Sequence, residues 1–185
     1  MEQAQHILTA TVRKARTGDT KAFEHLYNQF SKAMFSICIR MTGTRNDAED
    51  VLHESFIIAF QKLHQLKEEQ QFGGWLRRIV ITECIRFAKK HFYWNDWDEK
   101  YEDELSDSGA DWYTQIPFDL MQQEIRSLPD GCRQIFNLYV LEDFGHRQIA
   151  EQLGISESTS KSQYLRARQL LKERITRKLV SDGSI

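Results

Sequence analysis

Apolar residues recur at three- and four-residue intervals through most of the first ninety positions. The set Phe23, Leu26, Tyr27, Phe30, Met34, Ile37, Cys38 and Met41 lines one face of a 3.6-residue helix. Ala48, Val51, Leu52, Ser55, Ile58, Ala59 and Leu63 form a second stripe, and Leu76, Val80, Cys84 and Phe87 a third. Between them, Gly18 followed by Asp19, and "TGTRN" at 42–46, mark a helix end followed by an N-cap. Asn46, with Glu49 reaching back, is the expected cap of the second stripe. No segment sustains the two-residue alternation of a strand, so this part of the chain is expected to be a bundle of about four helices.

The pattern stops at residues 92–117, which are acidic, aperiodic and too long for a tight turn, and which read as an interdomain linker. Beyond it, Phe118–Leu128 suits a short helix stopped by Pro129, and Arg133–Leu141 a second. The stretch "HRQIAEQLGISESTSKSQYLRAR", 146–168, then reads as two helices hinged at Gly154. Ile149, Ala150 and Leu153 face inward, Ile155 plugs the corner, and Ser156 caps the second helix. The outward residues of that helix are expected to be Thr159, Lys161, Ser162, Gln163 and Arg166, donors at groove-reading spacing.

Composition narrows the class. Of 185 residues, 41% are hydrophobic and 28% charged, which is globular rather than disordered. No apolar run approaches the roughly 20 residues that span a bilayer. The opening "MEQAQHILTATVRKA" lacks the apolar core of a signal peptide, so a cytoplasmic location is expected. Cys38, Cys84 and Cys132 lie far apart without histidines at ligand spacing and read as core residues. With no HExxH, GxSxG or Walker loop, nothing points to an enzyme, and no metal, cofactor or small-molecule substrate is expected.

Charge is distributed unevenly. Residues 96–111 hold eight acids against Lys100 alone, a local charge of minus seven, so the rest of a chain whose net charge is −2 is basic. Residues 158–178 carry seven lysines and arginines against Glu173, and residues 77–90 carry five against Glu83. Such stripes neutralise phosphates and release counterions. On the second of them Trp75, Arg78, Thr82, Arg86 and Lys89 recur at helical spacing, a basic face beside an aromatic ring that suits an unpaired strand. Trp75 reads more readily as a core residue than as a stacking platform.

Two stretches carry a family resemblance. "LPDGCRQIFNLYVLEDFGHRQIAEQLGISESTSKSQYLRARQLL" resembles the fourth conserved region of bacterial sigma factors. "DAEDVLHESFIIAFQKL" with "FGGWLRRIV" resembles their second, and the short length resembles the extracytoplasmic-function class. The resemblance implies an all-α chain: a helical domain at 1–91, the acidic linker at 92–117, and a helix-turn-helix domain at 118–185. It also implies binding to core RNA polymerase and promoter DNA, and an anti-sigma partner. Asp47, Asp50, His53 and Glu54 would then meet polymerase, while Trp75, Arg78, Thr82, Arg86 and Lys89 would take the melted −10 strand. Ser158, Thr159, Lys161, Ser162, Gln163 and Arg166 would read the −35 duplex. By the same resemblance the linker threads the polymerase toward the RNA exit path, where its acids could follow cationic channels.

Several positions depart from that family pattern. His53 stands where glutamine is usual, Thr82 where asparagine is usual, Ser158-Thr159-Ser160 where Gly-Thr-Val is common, and Tyr164 for a leucine. Ser160 is expected to point inward, with its hydroxyl bonded to a carbonyl one turn back. Two other readings of the residues stay open: a stand-alone helix-turn-helix regulator that dimerises on a palindrome, and a helical protein that sequesters another factor. The second basic face, at 77–90, favours the sigma-factor reading over both.

Overall fold

The computed structural model describes residues 2–92 and 116–181, and every regular element in them is helical. The segment 93–115, which holds most of the expected linker, lies outside the described residues. The chain divides into two compact units, Met1–Phe87 and Ala88–Ile185.

The first unit holds α1 (Glu2–Arg16), α2 (Thr20–Thr42), α3 (Arg45–Gln61) and most of α4 (Phe72–His91). Asp19 caps α2 by accepting from the amides of Lys21 and Ala22 at 2.9 and 3.2 Å. Gly43, at φ 89°, ends the helix in the left-handed region that glycine enters without a Cβ clash. The cap of α3 is Thr44, not Asn46: its hydroxyl oxygen accepts from the Asp47 amide and donates to the Asp47 carboxylate. Asn46 is already helical, and Glu49 pairs with Arg45 at 2.7 Å instead of reaching back. Threonine won because Gly43 turns the chain three residues before Asn46, which leaves Thr44 as the extended residue at the helix entry.

Helices α2 and α3 are zipped by rings, with Phe23 on Phe60 at 4.5 Å and Tyr27 on Phe56 at 4.7 Å between centroids. Phe56 is buried where the expected stripe had Ile58, which is only half-buried. Phe72 opens α4 fully buried and meets Phe30 edge-on at 5.2 Å. A Cβ on Gly73 would lie 2.9 Å from the Phe30 ring, so a larger residue there forces the ring or α4 to shift. Arg13 and Arg16 converge on Glu69 and tie α1 to the short turn that precedes α4.

The second unit contains α5 (Phe118–Arg126), α6 (Asp130–Phe136), a π-helical turn at Asn137–Leu141, α7 (His146–Leu153) and α8 (Glu157–Ser181). Pro129 precedes α6, so the second short helix starts three residues earlier than its apolar pattern implied. Ile125, Leu128, Cys132, Phe136, Ala167, Leu171 and Ile175 make one core between α5, α6 and α8. Gly154, at φ 73°, turns the chain from α7 into α8, and Ser156 accepts the Thr159 amide at 2.9 Å. Ile149, Ala150 and Leu153 are buried, as their spacing required.

Candidate nucleic-acid interface

Helix α8 is the spine of the second unit. Counting back by fours from Ile175 gives Leu171, Ala167, Gln163 and Thr159, and all five are buried. This corrects the outward placement of Thr159 and Gln163. Gln163 accepts a bond from the Cys132 thiol at 3.0 Å, and the Thr159 hydroxyl meets that of Ser156 at 2.7 Å. Burial pushes the Cys132 thiol up to about 11. The face left to a ligand carries Ser158 and Lys161, both exposed, with Ser162 and Arg166 half-buried beside them. Lys161 is held 2.8 Å from Glu157, one turn earlier. Ser162 donates to the Thr159 carbonyl at 3.1 Å, so only its lone pairs remain for a partner.

Ser160 is fully buried, as expected, but its partner is not a carbonyl. Its hydroxyl lies 2.9 Å from Nδ1 of His146, the first residue of α7. Tyr139 stacks on the His146 ring, centroids 4.3 Å apart and planes within 12°. Tyr164 closes the group at 4.6 Å from Tyr139 and 5.6 Å from His146. Burial, and then Lys161 nearby, hold the His146 pKa below its ordinary value, and Glu157 opposes them. No spacing rule pairs residues 146 and 160. The one signal in the sequence was a serine on the inward stripe, a position that demands a partner.

On α4, Arg78, Thr82, Arg86 and Lys89 are exposed along one side, and Trp75 is half-buried against Phe72 with centroids 6.1 Å apart. Beneath them Glu83 is buried and holds Arg86 at 3.0 Å. Thr82 donates its hydroxyl proton to the Arg78 carbonyl at 2.8 Å, so toward solvent it offers an acceptor alone.

On α3, Asp50, His53 and Glu54 are exposed on one face, with the apolar Ile57 half exposed in line with them. The sequence reading missed Ile57, which the three-and-four spacing from Asp50, His53 and Glu54 places on that face. Asp47 is half-buried and spends its carboxylate on the Thr44 cap. Among the described residues no group of histidine, cysteine and carboxylate side chains could hold a metal ion, and no helix is long and apolar enough to cross a membrane.

Described residues that are all helical in their regular elements, with an acidic α3 face, a basic α4 face and a basic helix-turn-helix, define the class of a transcription initiation subunit. The description Sigma-70 region 2 matches residues 26–91, and Sigma-70, region 4 matches residues 118–171. The chain belongs to the sigma-70 family, in its extracytoplasmic-function class. It is 25% identical to the ECF RNA polymerase sigma factor SigW of Bacillus subtilis, over 89% of this chain and 94% of that protein. It is 26% identical to the ECF RNA polymerase sigma-E factor of Haemophilus influenzae, over 90% and 94%. A solved structure of CnrH in complex with the cytosolic domain of CnrY aligns at TM-score 0.49 and 18% identity, covering 91% of this chain and 97% of that one.

Proposed function

We propose that this chain works as a non-enzymatic subunit of RNA polymerase in the cytoplasm, with each task assigned to a face described above. The exposed α3 face of Asp50, His53, Glu54 and Ile57 docks on core polymerase, its acids supplying steering and Ile57 an apolar anchor. Arg78, Arg86 and Lys89 track the backbone of the melted −10 strand, and Trp75 offers its accessible edge to an unpaired base. The recognition helix enters the −35 major groove with Ser158, Lys161, Ser162 and Arg166 toward the DNA. The first domain ends near residue 91 and the second begins near 118, with the acidic segment between them following the polymerase surface. An anti-sigma partner belongs to this reading through the class.

The observation that carries the proposal is the pairing of two separate basic helix faces with two sigma-70 regions in family order. A palindrome reader needs only the second face. Mixing the chain with core polymerase is expected to give co-elution and run-off transcripts from a cognate promoter. Absence of co-elution, together with tight binding of a palindrome by the chain alone, reverses the assignment.

A further inference from the structure

The first two turns of α8 are anchored differently from the rest. From Ala167 onward the buried side is apolar, but before it the buried residues are Thr159, Ser160 and Gln163. Each is held by a hydrogen bond: Thr159 to Ser156, Ser160 to His146, Gln163 to Cys132. Apolar contacts tolerate small rotations of a helix about its axis, whereas hydrogen bonds weaken steeply with angle. Of the three, the Ser160 bond alone joins the recognition helix to α7. It also lies one residue from Lys161, so a rotation that strains it swings Lys161 with it.

We infer that His146 is a positioning residue for promoter reading: held by Ser160 and stacked on Tyr139, it fixes the rotation of α8 against α7 and so sets where Ser158 and Lys161 meet the −35 bases. This rests on the sigma-factor reading above. Ser160 and Tyr164, both on α8, belong to this cluster, so they act together on the helix pair. A neutral ring with its proton on Nε2 accepts the Ser160 hydroxyl at Nδ1, and the depressed His146 pKa favours that neutral form.

The test uses the full chain with core polymerase on the promoter that the wild-type holoenzyme selects from a library randomised at the −35 element. The readout is the ratio of run-off transcript from that promoter to transcript from each single −35 substitution. His146→Phe keeps a ring for Tyr139 and removes the nitrogen; Ser160→Val removes the hydroxyl; Ser160→Thr retains it. The first two are expected to lower the ratio about three- to tenfold, with a double variant no worse than either. Ser160→Thr is expected to keep it, and discrimination at the −10 element and co-elution with polymerase stay unchanged in all three.

A wild-type −35 profile in His146→Phe and Ser160→Val, with only the unfolding midpoint moved, makes the cluster mere packing and overturns the inference. Where Ser160→Val does not fold, His146→Phe and Ser160→Thr decide the matter by the same ratio. Wild-type chain that neither co-elutes nor initiates rejects the sigma-factor reading, and this inference with it, a result distinct from an unaltered variant profile.

Discussion

The thiol of Cys132 on α6 donates to Oε1 of Gln163 on α8 across 3.0 Å, with both residues buried. A glutamine that looked like a base-reading donor is thus a strut between two helices of the core. Gln163→Ala is expected to destabilise the second unit by about 1–3 kcal/mol, through a cavity and an unpaired thiol. Its −35 preference at a temperature where it stays folded is expected to match wild type. Denaturant unfolding and the transcription ratio together check this; a changed base preference in a fully folded variant would return Gln163 to the groove.

Lys161 has the opposite character. It is exposed and paired with exposed Glu157, a contact that weighs little in stability. Lys161→Ala is expected to leave the unfolding midpoint within experimental scatter. In holoenzyme binding to promoter DNA it is expected to reduce the log–log salt slope by about 1. An unchanged slope contradicts a phosphate contact by this side chain.

On α4, the Thr82 hydroxyl is committed to the Arg78 carbonyl and cannot form the two-pronged bond that an amide makes with a base edge. Thr82→Asn is expected to sharpen discrimination at one −10 position by about 1–3 kcal/mol in promoter-competition assays. Arg78→Ala and Lys89→Ala, by contrast, weaken opening of all promoters alike. A uniform response to Thr82→Asn argues against a base-facing site.

The acids of α3 separate into a cap partner, Asp47, and an exposed set, Asp50 and Glu54 with Ile57 beside them, that is proposed to meet polymerase. Thr44→Ala is expected to destabilise the first unit by about 1 kcal/mol, because Thr44 satisfies the Asp47 amide. Asp50→Ala, Glu54→Ala and Ile57→Ala touch no such bond and are expected to weaken co-elution with core polymerase at unchanged melting temperature. Normal polymerase affinity in the Asp50, Glu54 and Ile57 variants moves the docking face elsewhere.

Acid is expected to loosen the second unit. The His146 pKa lies below its ordinary 6.5 through burial and Lys161, against the opposing pull of Glu157, and the rings of Tyr139 and Tyr164 pack against it. The unfolded chain therefore takes up the proton more readily than the folded one. The His146 contribution is whole above the ordinary histidine range and falls as pH drops through the lowered folded value. Urea midpoints of wild type and His146→Phe between pH 7.5 and 5 check this: the difference between them is expected to shrink toward acid, and a constant difference rejects it.

How far the chain could be read in advance depended on which physical rule was in charge. Period alone sufficed for α2 and α4 and for the α7 stripe of Ile149, Ala150 and Leu153, because local spacing dictates which side of a helix is buried. It would have sufficed for Gln163 and Thr159 as well. The count by fours from Ile175 passes through both, whereas phasing the helix against Ala150 and Ile155 turns them outward. The α4 face of Arg78, Thr82, Arg86 and Lys89 was visible for the same local reason. Phe56 and Ile57 were harder, since apolar residues run from 56 to 60 without interruption and a continuous run does not reveal which member faces α2.

The tertiary structure decided everything that depends on what a side chain meets. Glycine at 43, with its φ of 89°, chose Thr44 over Asn46 as the cap; packing of α6 on α8 put Gln163 against Cys132. The turn at Gly154 brought residue 146 back to residue 160. Periodicity tells a residue only which way it faces along its own helix. Which atom waits there, fourteen residues away in the chain, is settled when two helices close on one another and every buried polar group must find a partner.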